Sequence, residues 1–200
     1  MRPIKYSDEQ IFLGLYTAIA KHGYSKLSLE KIAKEANVST AILSKRFGSK
    51  KGLILSFFRY ALEKTRVVVE KNQLKEPNIN TLRNFLTYWS AENGDATSLI
   101  SMLAIYLEGV QDQELHAISQ ERNLLIDNEV QRILQASMAK GEIAKMNVKD
   151  TSYLLQASVL GIVMLWLHKQ DQSLKKLTEL CIDQIIGINY RDEGAEEDAR

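Results

Sequence analysis

Apolar residues recur every three or four positions along almost the whole chain, and this helical period is the feature that most restricts its fold. In the first such segment, Ile11, Leu15, Ala18 and Ile19 form one apolar stripe. We find no convincing alternation of apolar and polar residues of the kind that marks a half-buried strand. The pattern therefore predicts an all-α protein, and the signals between the apolar stripes divide it into nine helices.

Serine, asparagine, aspartate and glycine residues mark where these helices begin and end. Ser7 with Gln10 has the form of a capping box, in which each residue satisfies a backbone N–H group at the helix start. Gly23 and Gly48 suit the left-handed position that follows a helix. Further N-caps are predicted at Ser28, Ser39, Ser49 and Asp150, and a helix end at Gly141. The apolar period predicts helices over about 50–72, 80–89, 99–108, 115–138 and 174–188. The last residues, 191–200, are polar and acidic, and we expect this tail to fray.

The net charge of +1 conceals a basic N-terminal quarter. Residues 1–52 hold ten Lys and Arg against four Asp and Glu, which gives +6, and the other residues hold 16 against 21, which gives −5. A basic segment on an otherwise acidic chain points to a negatively charged partner for that segment alone. Ordinary variation of charge along a sequence is the alternative.

Within this quarter, residues 28–47 have the form of a helix-turn-helix, with two short helices and a tight turn at 37–39. The apolar positions where the two helices must pack are Ile32, Ala33, Val38, Leu43 and Phe47. In the second helix, Ala41, Ser44 and Lys45 point away from that core, and Thr40 lies at the N-terminal end. Such a helix can enter a major groove about 12 Å wide and present its first residues to base edges. A plain helical hairpin has the same pattern and is the alternative.

The stretch LSLEKIAKEANVSTAILSKRFGSKKGLI, residues 27–54, resembles the signature of the TetR family, and residues 11–24 resemble that family's first helix with its Gly-Tyr ending. Beyond about residue 60 only the layout is similar, with nine helices, a Gly-Glu-Ile at 141–143 and a central Gly161 in an apolar helix eight. The resemblance implies an all-helical homodimer. Its N-terminal helix-turn-helix would bind palindromic operator DNA, and its C-terminal domain would hold a small-molecule pocket and the dimer interface.

The resemblance also implies roles for particular residues in DNA binding. Thr40 and Ala41 fall where members of the family often contact bases, and Lys45 falls at another position facing the groove. The positions that often contact phosphates are occupied here by Ser28, Ile42, Ser44 and Lys50. Lys50 also opens helix four, where backbone N–H groups and the helix dipole favour a phosphate.

Three further residues have more than one possible role. Ser39 and Ser49 are chiefly caps, and each can also contact a phosphate. Arg46 can reach the DNA backbone or pair with Glu35.

The chain departs from the family pattern at three positions of the second helix of the helix-turn-helix, the recognition helix. Ser44 stands where a tyrosine is usual, Ala41 where a glycine or another small residue is usual, and Ile42 where threonine is frequent. Ser44 is too short for the reach of a tyrosine to a phosphate, so Lys45 is expected to supply that contact. Ile42 is expected to lie against a thymine methyl group. These departures affect the details of base readout far more than the fold.

The C-terminal part carries candidates for a ligand pocket and for a dimer interface. Pockets are mostly apolar with a few polar groups, and the ligand-binding candidates are Tyr60, Trp89, Tyr106, Asn123 and Trp166. Ordinary core packing is the alternative for the aromatic residues. The predicted dimer interface, a four-helix contact of helices eight and nine from two chains, consists of Ala157, Leu160, Gly161, Met164, Leu177, Cys181 and Ile185. An intramolecular core is the alternative there.

Other classes of protein have little support in the sequence. The three histidines lack metal-site spacing and the single cysteine excludes an internal disulfide, so we expect no metal and no cofactor. No nucleophile elbow, phosphate loop or other catalytic signature is present, so we do not expect an enzyme. The first ten residues are polar rather than a secretory signal. The longest apolar stretch, near residues 157–167, is shorter than the roughly 20 residues that span a bilayer, so we expect a cytoplasmic protein.

The sequence thus predicts a ligand-responsive transcriptional regulator, most simply a repressor, that is released from DNA by a small, largely apolar or aromatic effector. The expected organisation is a DNA-binding domain at 1–50, continuing into helix four to about 60, and an effector-binding and dimerisation domain at 51–190. A constitutive or architectural DNA-binding dimer without an effector is the alternative.

Overall fold

The computed structural model describes residues 6–92 and 95–188, apart from the side chains of 89–92. Over these residues the chain forms helices, turns and connections without a strand, which confirms the predicted all-α fold. The described helices are α1 (Asp8–His22), α2 (Leu29–Glu35), α3 (Thr40–Phe47), α4 (Lys50–Gln73), α5 (Ile79–Glu92), α6 (Ala96–Gln111), α7 (Gln113–Ala139), α8 (Val148–Lys169) and α9 (Leu174–Ile185), with one 3₁₀ turn at Tyr24–Lys26.

Serine side chains cap the first four helices, as the sequence predicts. The hydroxyl groups of Ser7, Ser28, Ser39 and Ser49 each accept a hydrogen bond from a backbone N–H group three residues further on. The predicted capping box at Ser7 is wrong in its second half. The Gln10 side chain donates to the carbonyl oxygen of Ala36 at 2.8 Å, because α2 ends close enough to offer that acceptor.

Several boundaries differ from the sequence prediction by two or three residues, and three of the differences have a local cause. Helix α6 begins three residues early because Asp95 accepts a hydrogen bond from the N–H group of Ser98. Asn147, rather than Asp150, caps α8, and its side-chain oxygen accepts from the N–H groups of Lys149 and Asp150. Helix α9 ends at Ile185, since Gly187 adopts a φ of 74° that a helix cannot continue through. The predicted tail at 191–200 lies outside the described residues.

The chain divides into two compact units that do not follow the order of the sequence. The first consists of α1 to α3, α4 as far as Glu70, α6, and α7 as far as Ile126. The second consists of the end of α4, α5, the rest of α7, α8 and α9. The predicted domain boundary at residue 50 stays a prediction, and α4 begins at that residue.

Close packing of α1 against α2 and α6 holds the first unit together. A Cβ atom on Gly14 would lie 2.5 Å from the Cβ atom of Ala36, so only glycine allows α1 to approach this closely. The rings of Phe12 and Tyr16 pack edge-on against Phe57 with centroids 5.4 and 5.3 Å away. Through these contacts α1 packs against both the end of α2 and the first half of α4.

The second unit has an apolar core with a buried polar network. Leu82, Ile133, Leu134, Leu155 and Ile182 are fully buried. The carboxylate of buried Glu129 accepts hydrogen bonds from Arg132 and, at 2.6 Å, from Asn72. Every oxygen of this carboxylate is therefore satisfied, as burial of a charge requires.

Candidate nucleic-acid interface

A left-handed residue makes the turn between α2 and α3. Asn37 has a φ of 55°, a conformation that asparagine tolerates better than most residues. The N–H group of Val38 donates to the carbonyl oxygen of Ala33 at 2.9 Å, which closes the end of α2. Leu43 is fully buried beneath α3, so the opposite face of α3 points outward. The pair has the geometry of a helix-turn-helix, not merely of two adjacent helices.

The outward face of α3 carries the residues predicted to meet DNA. Ala41, Ser44 and Lys45 are exposed, and Thr40 and Ile42 are half-buried near the start of the helix. Ser39 is exposed and Ser28 half-buried, and both hydroxyl groups already accept capping hydrogen bonds. The direction of this face is as the sequence predicts, and its contact with DNA stays a prediction.

Arg46 pairs with a residue that the sequence does not predict, and its contact with the DNA backbone stays a prediction. Its Nη2 atom lies 2.7 Å from Oδ1 of Asp8, and its Nη1 atom donates to the carbonyl oxygen of Tyr6 at 2.9 Å. The alternative pairing with Glu35 is wrong, because Glu35 binds Lys21 at 2.6 Å. Arg46 ties the end of α3 to the start of α1, a role that its sequence position does not reveal.

The start of α4 is held against the end of α3. A Cβ atom on Gly52 would lie 2.0 Å from the carbonyl oxygen of Phe47, so this contact requires glycine. Lys50 opens the helix, and its ammonium group lies 5.2 Å from the centroid of the Tyr24 ring. Lys50 and the first turn of α4 therefore lie beside the end of α3, and the contact of Lys50 with a phosphate stays a prediction.

Lys51, which the sequence does not single out, binds two carboxylates from the connection between α6 and α7. Its Nζ atom lies 2.8 Å from Oδ2 of Asp112 and 3.0 Å from Oε2 of Glu114. The carboxylates raise the pKa of Lys51, and the lysine lowers the pKa of Asp112. No sequence pattern links these residues, because some 60 positions separate the lysine from its partners.

The predicted ligand-binding residues are divided between the two units, with Tyr60, Tyr106 and Asn123 in the first and Trp89 and Trp166 in the second. The Tyr60 hydroxyl donates to Glu9 at 2.8 Å, and Trp166 Nε1 donates to the carbonyl oxygen of Gln172 at 2.9 Å. Asn123 is half-buried on α7, and the Trp89 side chain lies outside the described part. The ligand-binding role of each stays a prediction.

Tyr106 has a polar neighbour that the sequence does not predict. Burial lowers the pKa of the Arg122 guanidinium, whereas nearby Tyr16 and Tyr106 raise it. Arg122 Nε donates to the hydroxyl group of Thr65 at 2.9 Å. This cluster brings aromatic rings and a guanidinium group together within the first unit.

The predicted interface residues of α8 leave a broad apolar face uncovered. Ala157, Leu160, Gly161 and Met164 are exposed, and Leu177, Cys181 and Ile185 of α9 are half-buried. Tyr153, Leu154 and Leu165 extend the face, and Leu165 is 73% exposed. At 22 residues, α8 is long and apolar enough to cross a membrane by length and composition, so the shorter apolar stretch at 157–167 does not exclude a span.

An open groove of about 440 Å³ lies at the start of α5 and is lined by Asn78, Ile79, Asn80, Arg83, Glu142 and Ile188. No group of three or more His, Cys, Asp and Glu residues with the arrangement of a metal site occurs in the described part of the chain.

Comparison with known proteins gives a consistent likeness. Residues 16–57 match the family described as bacterial regulatory proteins, tetR family. The HTH-type transcriptional regulator BetI of Yersinia pestis (strain Pestoides F) is 24% identical over 196 residues, which is 96% of this chain and 97% of that protein.

Two solved structures share the fold over nearly their whole length. A TetR transcription regulator from Haloarcula marismortui matches with a TM-score of 0.75 and 15% identity, over 90% of this chain and 96% of that one. FadR from Bacillus subtilis, solved in complex with stearoyl-CoA, matches with a TM-score of 0.74 and 22% identity, over 92% of this chain and 100% of that one. With the helix-turn-helix geometry of α2 and α3, these likenesses support a TetR-family transcriptional regulator.

Proposed function

We propose that the protein is a cytoplasmic, homodimeric repressor that binds a palindromic operator and leaves it when a small, largely apolar effector binds. The outward face of α3, with Lys50 beside it at the start of α4, carries the proposal. A helix of this size reads only a few base pairs, so two copies related by two-fold symmetry are needed to specify an operator. Selection of bound genomic fragments, followed by footprinting, tests whether the preferred site is a palindrome.

The apolar face of α8 supports the second copy as its partner. Small residues, Ala157 and Gly161, alternate there with Leu160 and Met164, which allows two helices to approach closely. Only 22% of the most apolar 18-residue stretch of α8 is buried within the single chain. A second α8 would cover that surface, as in other four-helix contacts. Light scattering at micromolar concentration tests this, and a monodisperse monomer would contradict it.

Two observations support the effector. The structural relative FadR was solved with stearoyl-CoA, a ligand with a long hydrocarbon chain and anionic groups. In this chain, Tyr16 and Tyr106 act electrostatically on Arg122, and a cationic group among aromatic residues would attract an anionic end. We therefore favour an effector with an apolar body and an acidic end. Thermal-shift screening of fatty acids, acyl-CoA esters and aromatic acids, with release from the operator as the second readout, tests this class.

Thermodynamic linkage between effector binding and DNA binding would make the repressor respond to its effector. An effector that binds the DNA-incompetent state more tightly weakens DNA binding, and DNA must weaken effector binding by the same factor. A coupling of about 1–3 kcal/mol corresponds to a 5–150-fold change. A constitutive DNA-binding dimer is the alternative. It predicts tight operator binding that none of the screened compounds changes.

A further inference from the structure

The start of α4 lies beside two acidic residues at the junction of α6 and α7. Asp112 lies between these helices and Glu114 in the first turn of α7, and both carboxylates bind Lys51. We name Asp112 and Glu114 the acidic corner. Burial raises the pKa of Tyr24, and Glu108 and Asp112 raise it further; the ring of Tyr24 lies 5.2 Å from the ammonium group of Lys50.

These carboxylates oppose the binding of DNA at the same place. A lysine that neutralises a DNA phosphate releases a counterion, and this release drives binding. Lys51 already has two carboxylates within 3.0 Å, so its charge is compensated before DNA arrives. The pair is partly exposed, with 55% of the Lys51 side chain accessible, and exposed ion pairs are weak enough to exchange partners.

We propose that the acidic corner competes with DNA phosphates for Lys51, and thereby limits the affinity of the repressor for DNA. The proposal rests on the proposed function, since it assumes that α4 begins at the DNA backbone. When the corner holds Lys51, α4 offers Lys50 alone to the phosphates. When the corner releases Lys51, α4 offers a second cation, and binding to any duplex becomes tighter.

The structure allows the acidic corner to be neutralised with its fold preserved. Asp112 uses Oδ2 for Lys51 and Oδ1 for the N–H groups of Glu114 and Leu115, which it caps. Asparagine keeps a capping oxygen, so Asp112→Asn removes the charge without removing the cap. Glu114→Gln likewise keeps a polar side chain of the same length.

The chain also provides a matched control further along the same helix. Arg66 is flanked by two carboxylates, Glu63 at 3.2 Å and Glu121, and it lies 15 residues after Lys51 on α4. That separation is about 22 Å along a helix. Glu63→Gln with Glu121→Gln therefore changes the net charge by the same amount, far from the start of α4.

The experiment measures the affinity of the full-length protein for a random 30-base-pair duplex over a series of salt concentrations. We expect Asp112→Asn/Glu114→Gln to bind several-fold more tightly at low salt. Its salt slope, the slope of log affinity against log salt concentration, should be steeper by about 0.9, the value for one added phosphate contact. Adding Lys51→Gln should abolish this gain. The control pair should change the slope by much less, and thermal unfolding should show that all variants are folded.

Three results would overturn the inference. An unchanged slope in the double variant would mean that Lys51 gains no phosphate contact. An equal gain in the control pair would mean that net charge alone is responsible. Weaker DNA binding by the folded double variant would mean that the ion pair positions α4 for DNA. If the wild-type protein shows no salt-dependent DNA binding at all, the proposed function itself fails, and the inference fails with it.

Discussion

The Oδ1 atom of Asp8 lies 2.7 Å from Nη2 of Arg46, so the first turn of α1 is ion-paired to the last turn of α3. The same guanidinium group donates to the carbonyl oxygen of Tyr6. The recognition helix is thus held at its C-terminal end by the segment that precedes α1. Arg46 can therefore position α3, or it can bind a phosphate of DNA. The two roles predict different effects of substitution on the salt dependence of DNA binding.

We expect Asp8→Asn and Arg46→Gln to weaken operator binding to a similar extent, because each releases the end of α3. The salt slope should stay unchanged, and the loss of stability should stay within about 1 kcal/mol, since the pair is partly exposed. Binding to operator and to random duplex DNA over a salt series provides the measurement. A shallower slope for Arg46→Gln alone would instead show that Arg46 contacts a phosphate.

Replacement of Lys50 by Ala should weaken binding to every duplex. Lys50 opens α4, and a lost phosphate contact lowers affinity without regard to sequence and makes the salt slope shallower by about 0.9. Thr40→Ala should instead change the preferred operator sequence, because Thr40 begins α3, whose first residues face the bases. Binding of Lys50→Ala to operator and random duplexes over a salt series measures the first effect. Selection from a randomised operator library measures the second. An unchanged slope for Lys50→Ala would remove Lys50 from the phosphate contacts.

Gly52→Ala should destabilise the first unit by about 1–3 kcal/mol, the usual cost of overpacking. The added Cβ atom would lie 2.0 Å from the carbonyl oxygen of Phe47, so the ends of α3 and α4 would have to separate. Urea unfolding of the variant and of the wild type measures the loss of stability.

Gly161→Leu should dissociate the dimer while the single chain stays folded. Gly161 is exposed, and a Cβ atom there has no neighbour within 4 Å in the single chain, so we expect the clash of a larger side chain to come from a second copy. Analytical ultracentrifugation should show a lower dimer affinity, and operator binding should weaken with it, while circular dichroism stays unchanged. A variant that remains as tightly dimeric as the wild type would exclude Gly161 from the interface.

Local patterns in the sequence determine the helices and the face of α3 that meets solvent. The hydroxyl groups of Ser28 and Ser39 cap α2 and α3 because each needs only the N–H group three residues ahead. The apolar period buries Leu43 and therefore turns Ala41 and Lys45 outward. These relations act over one helical turn, so the order of residues is enough to predict them.

The tertiary structure alone determines which distant residues meet. Gln10 bonds to Ala36 rather than completing its own capping box, and Arg46 pairs with Asp8 rather than with Glu35. Lys51 meets Asp112 only because α6 and α7 return to the start of α4. Long side chains on a helix surface have several candidate partners of suitable charge, and the packing of the helices, which no local pattern records, decides among them.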